Sequence, residues 1–409
     1  MRPETIYYVM RASVSTFYSM WLTVTMLYHA TVITQDPLQL ILLGVAHEAT
    51  VFLFEIPTGV VADTYSRKWS VVIGLLVTGV AFALEGAFAV YATVLLAQIL
   101  HGVGFTFYSG ANDAWLADEI GPDKAAPVFV RGAQFALIAP QIGILSAILI
   151  GQAGLTAPLL VAGAGMAAMG TFLAFAMKEH GFKPEKSSAR VWGNLTGTFR
   201  RSLSMLGRGK GLSLVVIVGV VVGLSVGGYD RLYTPHFLLN FTPPLEPVVW
   251  FGLLSAAVSL SAALILQWIR KRARLISAER VPRLIAALYG GTILGNVVFV
   301  LAGRFELAVI AYWFSQMLRT TTRPLIIIWI SQITPSQFRA SAISMYWQSI
   351  SLGNIIGAPV IGLIGTATSV RWALMTAVLA LSPTLWLLTR RVGSVESTQK
   401  SAQIDECIG

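Results

Sequence analysis

Twelve charged or titratable side chains interrupt otherwise apolar stretches of this chain. They are Glu48, Glu55, Glu85, Asp113, Asp230, Arg231, Arg319 and Arg323, with His29, His47, His101 and His236. Carboxylates and imidazoles exchange protons near neutral pH, and arginines bind anions. If the apolar stretches cross a membrane, each central charge costs about 2.5 to 3.5 kcal/mol. Such residues must then face protein or water, which makes them the first candidates for binding and proton transfer.

The spacing of these charges indicates which of them act together. Glu48 and Glu55 are seven residues apart and share one helix face, and Arg319 and Arg323 share another at a spacing of four. Asp230 and Arg231 are sequence neighbours, so they point about 100° apart on a helix and each requires its own partner. The segment Gly228–His236 is the densest polar cluster in any apolar stretch, and Pro235 should break or bend its helix.

The composition requires a membrane around these residues. The chain has 409 residues, of which 55% are hydrophobic and 12% charged, with a mean hydropathy of +0.71. About 25% charged residues is usual for soluble domains. Stretches long enough to span a bilayer are predicted at Val9–Ile33, Leu38–Ala62, Trp69–Tyr91, Thr93–Ala117, Pro127–Gly151, Leu155–Met177, Leu212–Leu239, Glu246–Ile269, Val281–Ala302, Phe305–Ile330, Ala340–Gly365 and Ser369–Leu388. We therefore expect an all-α membrane protein with twelve transmembrane helices.

The distribution of basic residues orients the spans. With the N-terminus inside, nearly all of the 29 Lys and Arg residues fall in inside connections, which predicts a multi-pass inner (cytoplasmic) membrane protein with both termini cytoplasmic. The net charge of +10 then faces anionic lipid, so nucleic acid is not expected as a partner. The first span is predicted to be retained rather than cleaved. The single cysteine, Cys407, excludes a disulfide framework within the chain.

A polar stretch divides the predicted spans six to six. We expect an N-terminal six-helix bundle over residues 1–177, a cytoplasmic linker over 178–211, a C-terminal six-helix bundle over 212–390 and a cytoplasmic tail over 391–409. The linker residues 191–206 are compatible with either an interfacial helix or a flexible connection. A shift of 214 residues aligns Trp115 with Trp329, Gln134 with Gln348, Gly143 with Gly357, and Gly151 with Gly365. The two bundles should therefore be pseudo-symmetric repeats.

The connection Gly59–Lys68 carries the most specific motif. Its pattern, Gly-x-x-x-Asp-x-x-x-Arg-Lys, resembles the loop between helices 2 and 3 of the major facilitator superfamily, with Ser66 in place of the usual glycine. The resemblance implies a gating latch made of Gly59, Asp63, Arg67 and Lys68, with Asp118 or Glu119 at the end of span 4 receiving Arg67. Pro57 and Gly59 should let span 2 approach a neighbour closely. A merely topogenic positive loop is the alternative interpretation.

The same resemblance implies the position of a substrate cavity. In this family, helices 1, 4, 7 and 10 surround the cavity, which selects Tyr18, Trp21, His101, Tyr108, Asp113, Tyr229, Asp230, Arg231, Tyr233, His236, Tyr312, Arg319 and Arg323. We expect Asp230 to pair with Arg319 or Arg323, either as a permanent packing bridge or as a proton-coupled switch. The expected proton-coupling residues are Asp230, Asp113, Glu48 and Glu55. Glu85 is expected to meet a polar partner between helices.

Two further segments bear on the branch of the family. Ala139-Pro140-x-x-Gly143 partly resembles the Gly- and Pro-rich signature in helix 5 of the exporters, and close packing explains it equally well. Where proton-coupled exporters often have Arg-x-x-Gln-Gly in helix 4, this chain has Gln98, His101 and Gly102. The missing arginine leaves the usual coupling scheme without its cation.

These observations favour a transporter most like the bacterial drug-efflux branch. It would export amphipathic small molecules, in exchange for protons, by alternating access. The alternative is a facilitator or importer of an organic anion that uses Arg231, Arg319 and Arg323. An intramembrane enzyme is not favoured, since no metalloprotease, serine hydrolase or nucleotide-binding motif occurs. We expect a monomer in the lipid bilayer, with a small-molecule substrate and protons as partners, no cofactor and no bound metal.

Overall fold

The computed structural model describes residues 1–182, 210–272, 281–334 and 339–389. All regular structure in these residues is helical. The twelve helices are α1 (Pro3–Tyr28, continued by a π-helical turn at His29–Ile33), α2 (Pro37–Thr64), α3 (Arg67–Ala87), α4 (Tyr91–Ile120), α5 (Pro122–Gly151), α6 (Thr156–Ala176), α7 (Lys210–Asn240), α8 (Pro247–Arg272), α9 (Val281–Leu301), α10 (Phe305–Ile333), α11 (Arg339–Ala367) and α12 (Val370–Leu379). The predicted fold class is confirmed.

Short polar residues start several of these helices. The carboxylate of Asp36 accepts a hydrogen bond from the backbone amide of Leu38 at 3.0 Å, and the hydroxyl of Ser66 accepts from the amide of Trp69 at 3.0 Å. Ser369 caps α12 through the amide of Trp372 in the same way. Such side chains satisfy amides that the first turn of a helix leaves unpaired.

Ten of the described helical segments are long and apolar enough to cross a membrane, and α1 and α10 fall below that threshold. The reason for α10 lies in its sequence, since Arg319 and Arg323 interrupt its apolar run. A helix of this kind is stable in a bilayer when its charged face lies against protein or water. The two helices below the threshold thus both belong to the set expected around the cavity.

Contacts divide the chain into two compact units. Unit 1 is Met1–Leu195 with Pro243–Ala256, and unit 2 is Thr196–Thr242 with Ala257–Gly409. In unit 1, α3 packs against α4 and α6, α1 against α5, and α2 against α4. In unit 2, α7 packs against α11 and α12, and α9 packs against α10. Each unit therefore buries its own set of helix faces.

The predicted repeat of 214 residues is visible in the helix boundaries. When α3 is shifted by this offset, its bounds become those of α9, and the first residue of α4 becomes the first residue of α10. Trp115 and Trp329 are both buried, at 1% and 4% exposure. A Cβ on Gly143 would collide with Thr16 and Ser19 of α1, and one on Gly357 would collide with Leu224 of α7. The matched glycines thus serve equivalent close helix contacts.

Three local expectations differ from the structure. Gly59 makes no close approach, because a Cβ there would meet no described atom within 4 Å and α2 continues to Thr64. α7 runs through Pro235 without a break, although the proline removes one hydrogen bond to the carbonyl of Arg231. The last span is interrupted by a turn at residues 380–382, just before Pro383. The linker residues 191–206 and the tail 391–409 lie outside the described residues.

Candidate functional site

Unit 2 contains a small cavity between α7, α9, α10, α11 and the residues after α12. Its lining residues are Val222, Ser225, Val226, Tyr229, Tyr289, Thr292, Asn296, Arg319, Arg323, Tyr346, Trp347, Ile350 and Leu381. Its volume is about 50 Å³, enough for a few water molecules but far below the several hundred Å³ of a drug-sized site. The cavity can therefore receive one charged group of a ligand rather than a whole molecule.

The charges around this cavity are unequal in number. Arg319 donates a hydrogen bond from Nη1 to Oδ1 of Asp230 at 2.6 Å, which confirms the expected pairing of Asp230 with an arginine of span 10. Arg323 is exposed and takes part in no ion pair within the part of the chain that the structure describes. Two cations and one carboxylate thus leave one positive charge available at the cavity.

Aromatic rings extend from the cavity along α7 and α10. The guanidinium of Arg319 lies 5.9 Å above the ring centre of Tyr229, and the hydroxyl of Tyr229 donates to Oδ1 of Asn296 at 2.7 Å. Tyr233 stacks on Tyr312 with ring centres 5.0 Å apart. This arrangement places a cation beside a polar tyrosine edge and an extended aromatic wall.

The residues predicted for a cavity in this unit occupy three kinds of place. Tyr229, Arg319 and Arg323 line the cavity, and Asp230 lies at its edge through Arg319. Tyr233 and Tyr312 form the aromatic wall, while Arg231 is half-buried. His236 is fully buried and packs its ring on Phe299, with ring centres 4.9 Å apart. It lies apart from the residues that line the cavity.

Ten of the thirteen lining residues were not selected from the sequence. Tyr289, Thr292 and Asn296 belong to α9, and Tyr346 and Trp347 belong to α11, neither of which the resemblance placed at a cavity. The sequence contains a signal for the three residues of α9, because residues 289, 292 and 296 lie at helical spacing on one face of an otherwise apolar segment. A polar stripe of this kind on a membrane helix indicates a wet or hydrogen-bonded face.

Unit 1 brings Tyr18, Trp21 and His101 together. The ring of His101 lies 4.8 Å from Trp21 and 5.8 Å from Tyr18, measured between ring centres. Trp21 stacks on Phe82 at 4.6 Å, and His47 lies 4.4 Å from His101. Trp21 and His101 are 3% and 2% exposed, so they belong to the packed interior of this unit.

Asp113 and Tyr108 belong to a second polar group in unit 1. The hydroxyl of Tyr7 donates to Oδ1 of Asp113 at 2.8 Å, and Arg11 and Asn112 approach the hydroxyl of Tyr108. Asp113 is itself exposed. The sequence analysis did not select Tyr7 and Arg11, which lie on the first three turns of α1.

The most buried charge in unit 1 is Glu85, at 1% exposure. Its carboxylate lies 2.8 Å from Nε2 of His29 and accepts hydrogen bonds from Thr25, from the indole of Trp21 and from the amide of Gln98. The expectation that Glu85 meets a polar partner between helices is confirmed. Glu85 and His29 were not among the selected site residues, because their pairing depends on contacts between α1 and α3 that spacing does not show.

The two glutamates of α2 were expected to share a helix face and to take part in proton coupling. Glu48 is half-buried and Glu55 is exposed, and both interact with other groups of the protein. Their separation of seven residues within the continuous helix α2 keeps them on one face. Their role in proton coupling remains a prediction.

The connection between α2 and α3 is held by ion pairs. Arg67 donates from Nη1 to Asp118 at 2.5 Å and to the carbonyl of Ala114 at 3.0 Å, and its Nη2 lies 3.3 Å from Asp63. Asp118 is thus the acid that receives Arg67. Lys68 lies with its Nζ 5.4 Å above the ring of Trp69. The pairing is confirmed, and the gating role of these residues remains a prediction.

Two glutamates tie the chain after α6 to this connection. Glu119 accepts from the backbone amides of His180 and Gly181, and Glu179 accepts from the hydroxyl of Ser66 at 2.6 Å and from the amide of Lys68. Ser66, which replaces the usual glycine, therefore caps α3 and binds Glu179 at once. Glu179 was not predicted as a site residue, since it lies after span 6 and has no motif around it.

Comparison with known proteins agrees with this architecture. The chain is 21% identical over 343 residues to the uncharacterized MFS-type transporter YxaM of Bacillus subtilis (strain 168), covering 81% of this chain and 82% of YxaM. The crystal structure of the nucleoside transporter NupG superposes with a TM-score of 0.75 at 12% identity, covering 97% of this chain and 99% of NupG. A bacterial homolog of the human lysosomal transporter Spinster, inward-facing and unoccupied, gives 0.73 at 12% identity, with 97% and 98% covered.

A third similar structure is that of a POT family transporter in complex with 5-aminolevulinic acid. It gives a TM-score of 0.73 at 14% identity and covers 94% of this chain and 95% of that one. At these identities the structures show a shared fold. The model of the Major Facilitator Superfamily matches residues 9–318, about three quarters of the sequence. The chain is a membrane transporter that belongs to the Major Facilitator Superfamily.

Proposed function

We propose that this chain exports amphipathic organic anions across the inner membrane by alternating access, in exchange for protons. The observation that carries the proposal is the surplus cation beside the cavity of unit 2, where Asp230 offsets only one of the two arginines. Arginine binds carboxylate and phosphate groups with two parallel hydrogen bonds. Tyr233 and Tyr312 supply an aromatic surface for the apolar part of the same molecule.

The size of the cavity supports a single charged group as the part it receives. A volume of about 50 Å³ suits a carboxylate or a similar anion together with a water molecule. Tyr289, Tyr346 and Asn296 add hydroxyl and amide groups that can hydrogen bond to such an anion. An anion would pair with Arg323 and a neutral drug would not, which favours the anion over an uncharged cargo.

The direction of transport and the branch of the family are inferred from α5 and from the membrane potential. The partial Gly- and Pro-rich signature of the exporters ends at Gly143, which packs directly on α1. An anion also leaves a negative-inside cell down the membrane potential, which is about 2.3 kcal/mol per charge for 100 mV. We therefore place this chain nearest to the drug-efflux branch. Import of an organic anion is the alternative, and the sign of the driving gradient separates the two.

The test is exchange of radiolabelled para-aminohippurate, an impermeant aromatic carboxylate, in proteoliposomes that contain the purified full chain. We expect wild-type protein to exchange it and Arg323→Gln to lower the rate about tenfold, since a hydrogen bond to a charged group contributes about 1.5 to 3 kcal/mol. Arg323→Lys should retain part of the rate. Arg304→Gln, which removes an exposed arginine at the start of the same helix, is the matched control.

Competition by the methyl ester of hippurate tests the anion itself. The ester keeps the aromatic ring and loses the negative charge, so it should not slow the exchange. Equal competition by ester and acid, together with an unchanged rate in Arg323→Gln, contradicts the proposal. That result would favour a neutral amphipathic cargo held by the aromatic wall alone.

A further inference from the structure

The pair Glu85–His29 has no part in the cavity of unit 2 and is the most enclosed titratable pair among the described residues. We propose that it is the proton-binding site of the transporter, with Nδ1 of His29 as the atom that gains and loses the proton. The inference rests on the proposed function, to which it adds the location of the coupled proton. It differs from the four acids that the sequence analysis selected for this task.

The hydrogen bonds around Glu85 keep its carboxylate ionised. The indole of Trp21 is a donor only, and it reaches Oε2 at 3.1 Å, where the amide of Gln98 also donates at 3.1 Å. Thr25 donates to Oε1, and Nε2 of His29 lies 2.8 Å from the same oxygen. A carboxylate with this many donors has both oxygens satisfied. A proton on Glu85 would displace one of the donors.

His29 carries the nitrogen that can gain or lose the proton. Its Nδ1 is buried and has no hydrogen-bond partner in the described structure, while Nε2 faces Glu85. When Nδ1 carries no proton, the pair keeps a net negative charge away from water, which is costly. When Nδ1 is protonated, the pair is neutral but the new N–H donor has no acceptor. Because each state carries one penalty, small rearrangements decide between them.

The surroundings of the pair leave few other titratable groups. From α1 it meets Trp21, Thr25 and Tyr28, whose hydroxyl donates to the carbonyl of Glu85 at 3.0 Å. From α4 it meets Gln98, and His101 lies beyond the Trp21–Phe82 stack. The side chains of α6 that approach neighbouring Gly86 are Leu159 and Leu160. No second acid is in direct contact with the pair in the described structure, so the balance rests on His29 and Glu85.

The backbone offers a way to expose this site. His29 begins the π-helical turn that ends α1, and the carbonyl of His29 accepts from the amide of Thr34 at 3.0 Å. Single π-helical turns replace the regular hydrogen-bond ladder and occur often at functional sites. Conversion of this turn to regular helix would rotate His29 relative to Glu85. The proton would then reach Nδ1 from water on one side and leave toward the other side after transport.

The acids expected for proton coupling are more exposed than Glu85. The side chain of Asp230 is 38% exposed and holds Arg319, and Asp113 is exposed. Glu55 is exposed as well. A group that is open to water in every state exchanges protons without reference to the state of the transporter. An enclosed pair couples protonation to a conformational change, which is what exchange transport requires.

The first test separates exchange from coupled accumulation, again with radiolabelled para-aminohippurate in proteoliposomes. With an acidic lumen, a one-for-one exchange supports an accumulation of about tenfold for each pH unit of gradient. Under a potassium–valinomycin clamp, wild-type protein should reach this ratio. Glu85→Gln and His29→Gln should lose the accumulation while they retain exchange at equal pH. Glu306→Gln and His180→Gln, which alter exposed side chains, are the matched controls.

The second test does not need a transported molecule. Nitrogen-15 NMR of histidine-labelled full chain in lipid reports whether Nδ1 is protonated, and His29→Gln assigns the signal. Between about pH 9 and about pH 5, which spans ordinary histidine titration, Nδ1 of His29 should gain a proton in wild-type protein. In Glu85→Gln this change should occur at a different pH or be absent.

The outcomes separate the two proposals. If wild-type protein fails to exchange para-aminohippurate, the proposed cargo is wrong, and the NMR measurement still decides the proton site. If exchange and accumulation persist in Glu85→Gln, or if Nδ1 of His29 does not change state over this pH range, the inference is overturned. A variant that elutes as an aggregate on gel filtration is replaced by Glu85→Asp, which should retain part of the accumulation.

Discussion

Glu85 and His29 of unit 1 are each 1% exposed, whereas the pair in unit 2, Arg319 and Asp230, is 21% and 38% exposed. The repeat makes the difference sharper, since Glu85 shifted by 214 residues is Phe299. A histidine lies against this residue in both units: His236 packs against Phe299 in unit 2, and His29 lies against Glu85 in unit 1. Unit 1 thus has an acid–histidine pair at Glu85, and unit 2 has a phenylalanine–histidine contact at Phe299, the residue that matches Glu85 under this shift.

The contrast suggests that the two units have different roles. A buried, fully hydrogen-bonded carboxylate suits a proton, and a partly exposed arginine beside aromatic rings suits an anionic cargo. Substitutions confined to one unit test this contrast.

Removal of the buried charge in unit 1 should have the largest effect on stability. Glu85→Leu leaves His29, Trp21 and Gln98 without their acceptor, and loss of one partner of a buried pair costs about 3 to 5 kcal/mol. The double change Glu85→Leu with His29→Leu should recover part of this loss, because it removes the stranded imidazole. Thermal unfolding in detergent measures both. Equal stability of single variant and wild type would show that the pair is not enclosed.

Substitution of the matched glycines, Gly143 and Gly357, should have the next largest effect on stability. Gly143→Ala places a methyl group against the carbonyl of Thr16 and the hydroxyl of Ser19, and overpacking of this kind costs about 1 to 3 kcal/mol. Gly357→Ala meets the side chain and the Cα of Leu224 instead, at longer distances, so its cost should be smaller. Gly110→Ala, with no described atom within 4 Å, is the control. Unfolding temperatures in one detergent give the order, and the reverse order contradicts it.

The ion pair of unit 2 should stabilise less than that of unit 1. Since both side chains are partly exposed, solvent screening limits the coupling energy between Asp230 and Arg319 to about 1 kcal/mol. A double-mutant cycle with Asp230→Asn and Arg319→Gln measures this energy from unfolding. A coupling as large as that of Glu85 with His29 would remove the contrast between the units.

The cap of α3 should have the smallest effect. Ser66→Gly installs the residue that is usual at this position in the family, and it costs only a few tenths of a kcal/mol as a cap. Loss of the hydrogen bond to Glu179 adds to this, so we expect about 1 kcal/mol in total. Glu179→Gln should lower the stability by most of the amount that this hydrogen bond contributes. Additive effects of the two changes in unfolding experiments would show that the two residues do not interact.

The fold was largely predictable from the sequence, and the site only in part. The apolar runs, the basic connections and the offset between Trp115 and Trp329 determine helix number and repeat, because each depends on local composition. The pairing of Asp230 with Arg319 followed from charge and the resemblance. The pairing of Glu85 with His29, and the presence of both Tyr289 and Tyr346 at the cavity, depend on the rotations of neighbouring helices. Spacing within one helix does not determine those rotations.

The anchoring of Glu179 and Lys178 has a practical consequence. The carbonyl of Lys178 accepts from the indole of Trp115 at 2.8 Å, and the amides just after it are held by Glu119. A protease must draw several residues of backbone into an extended strand before it can cut. Trypsin should therefore spare the Lys178–Glu179 bond in the native protein. A cut there would report that the chain after α6 has separated from α4 and from the start of α3.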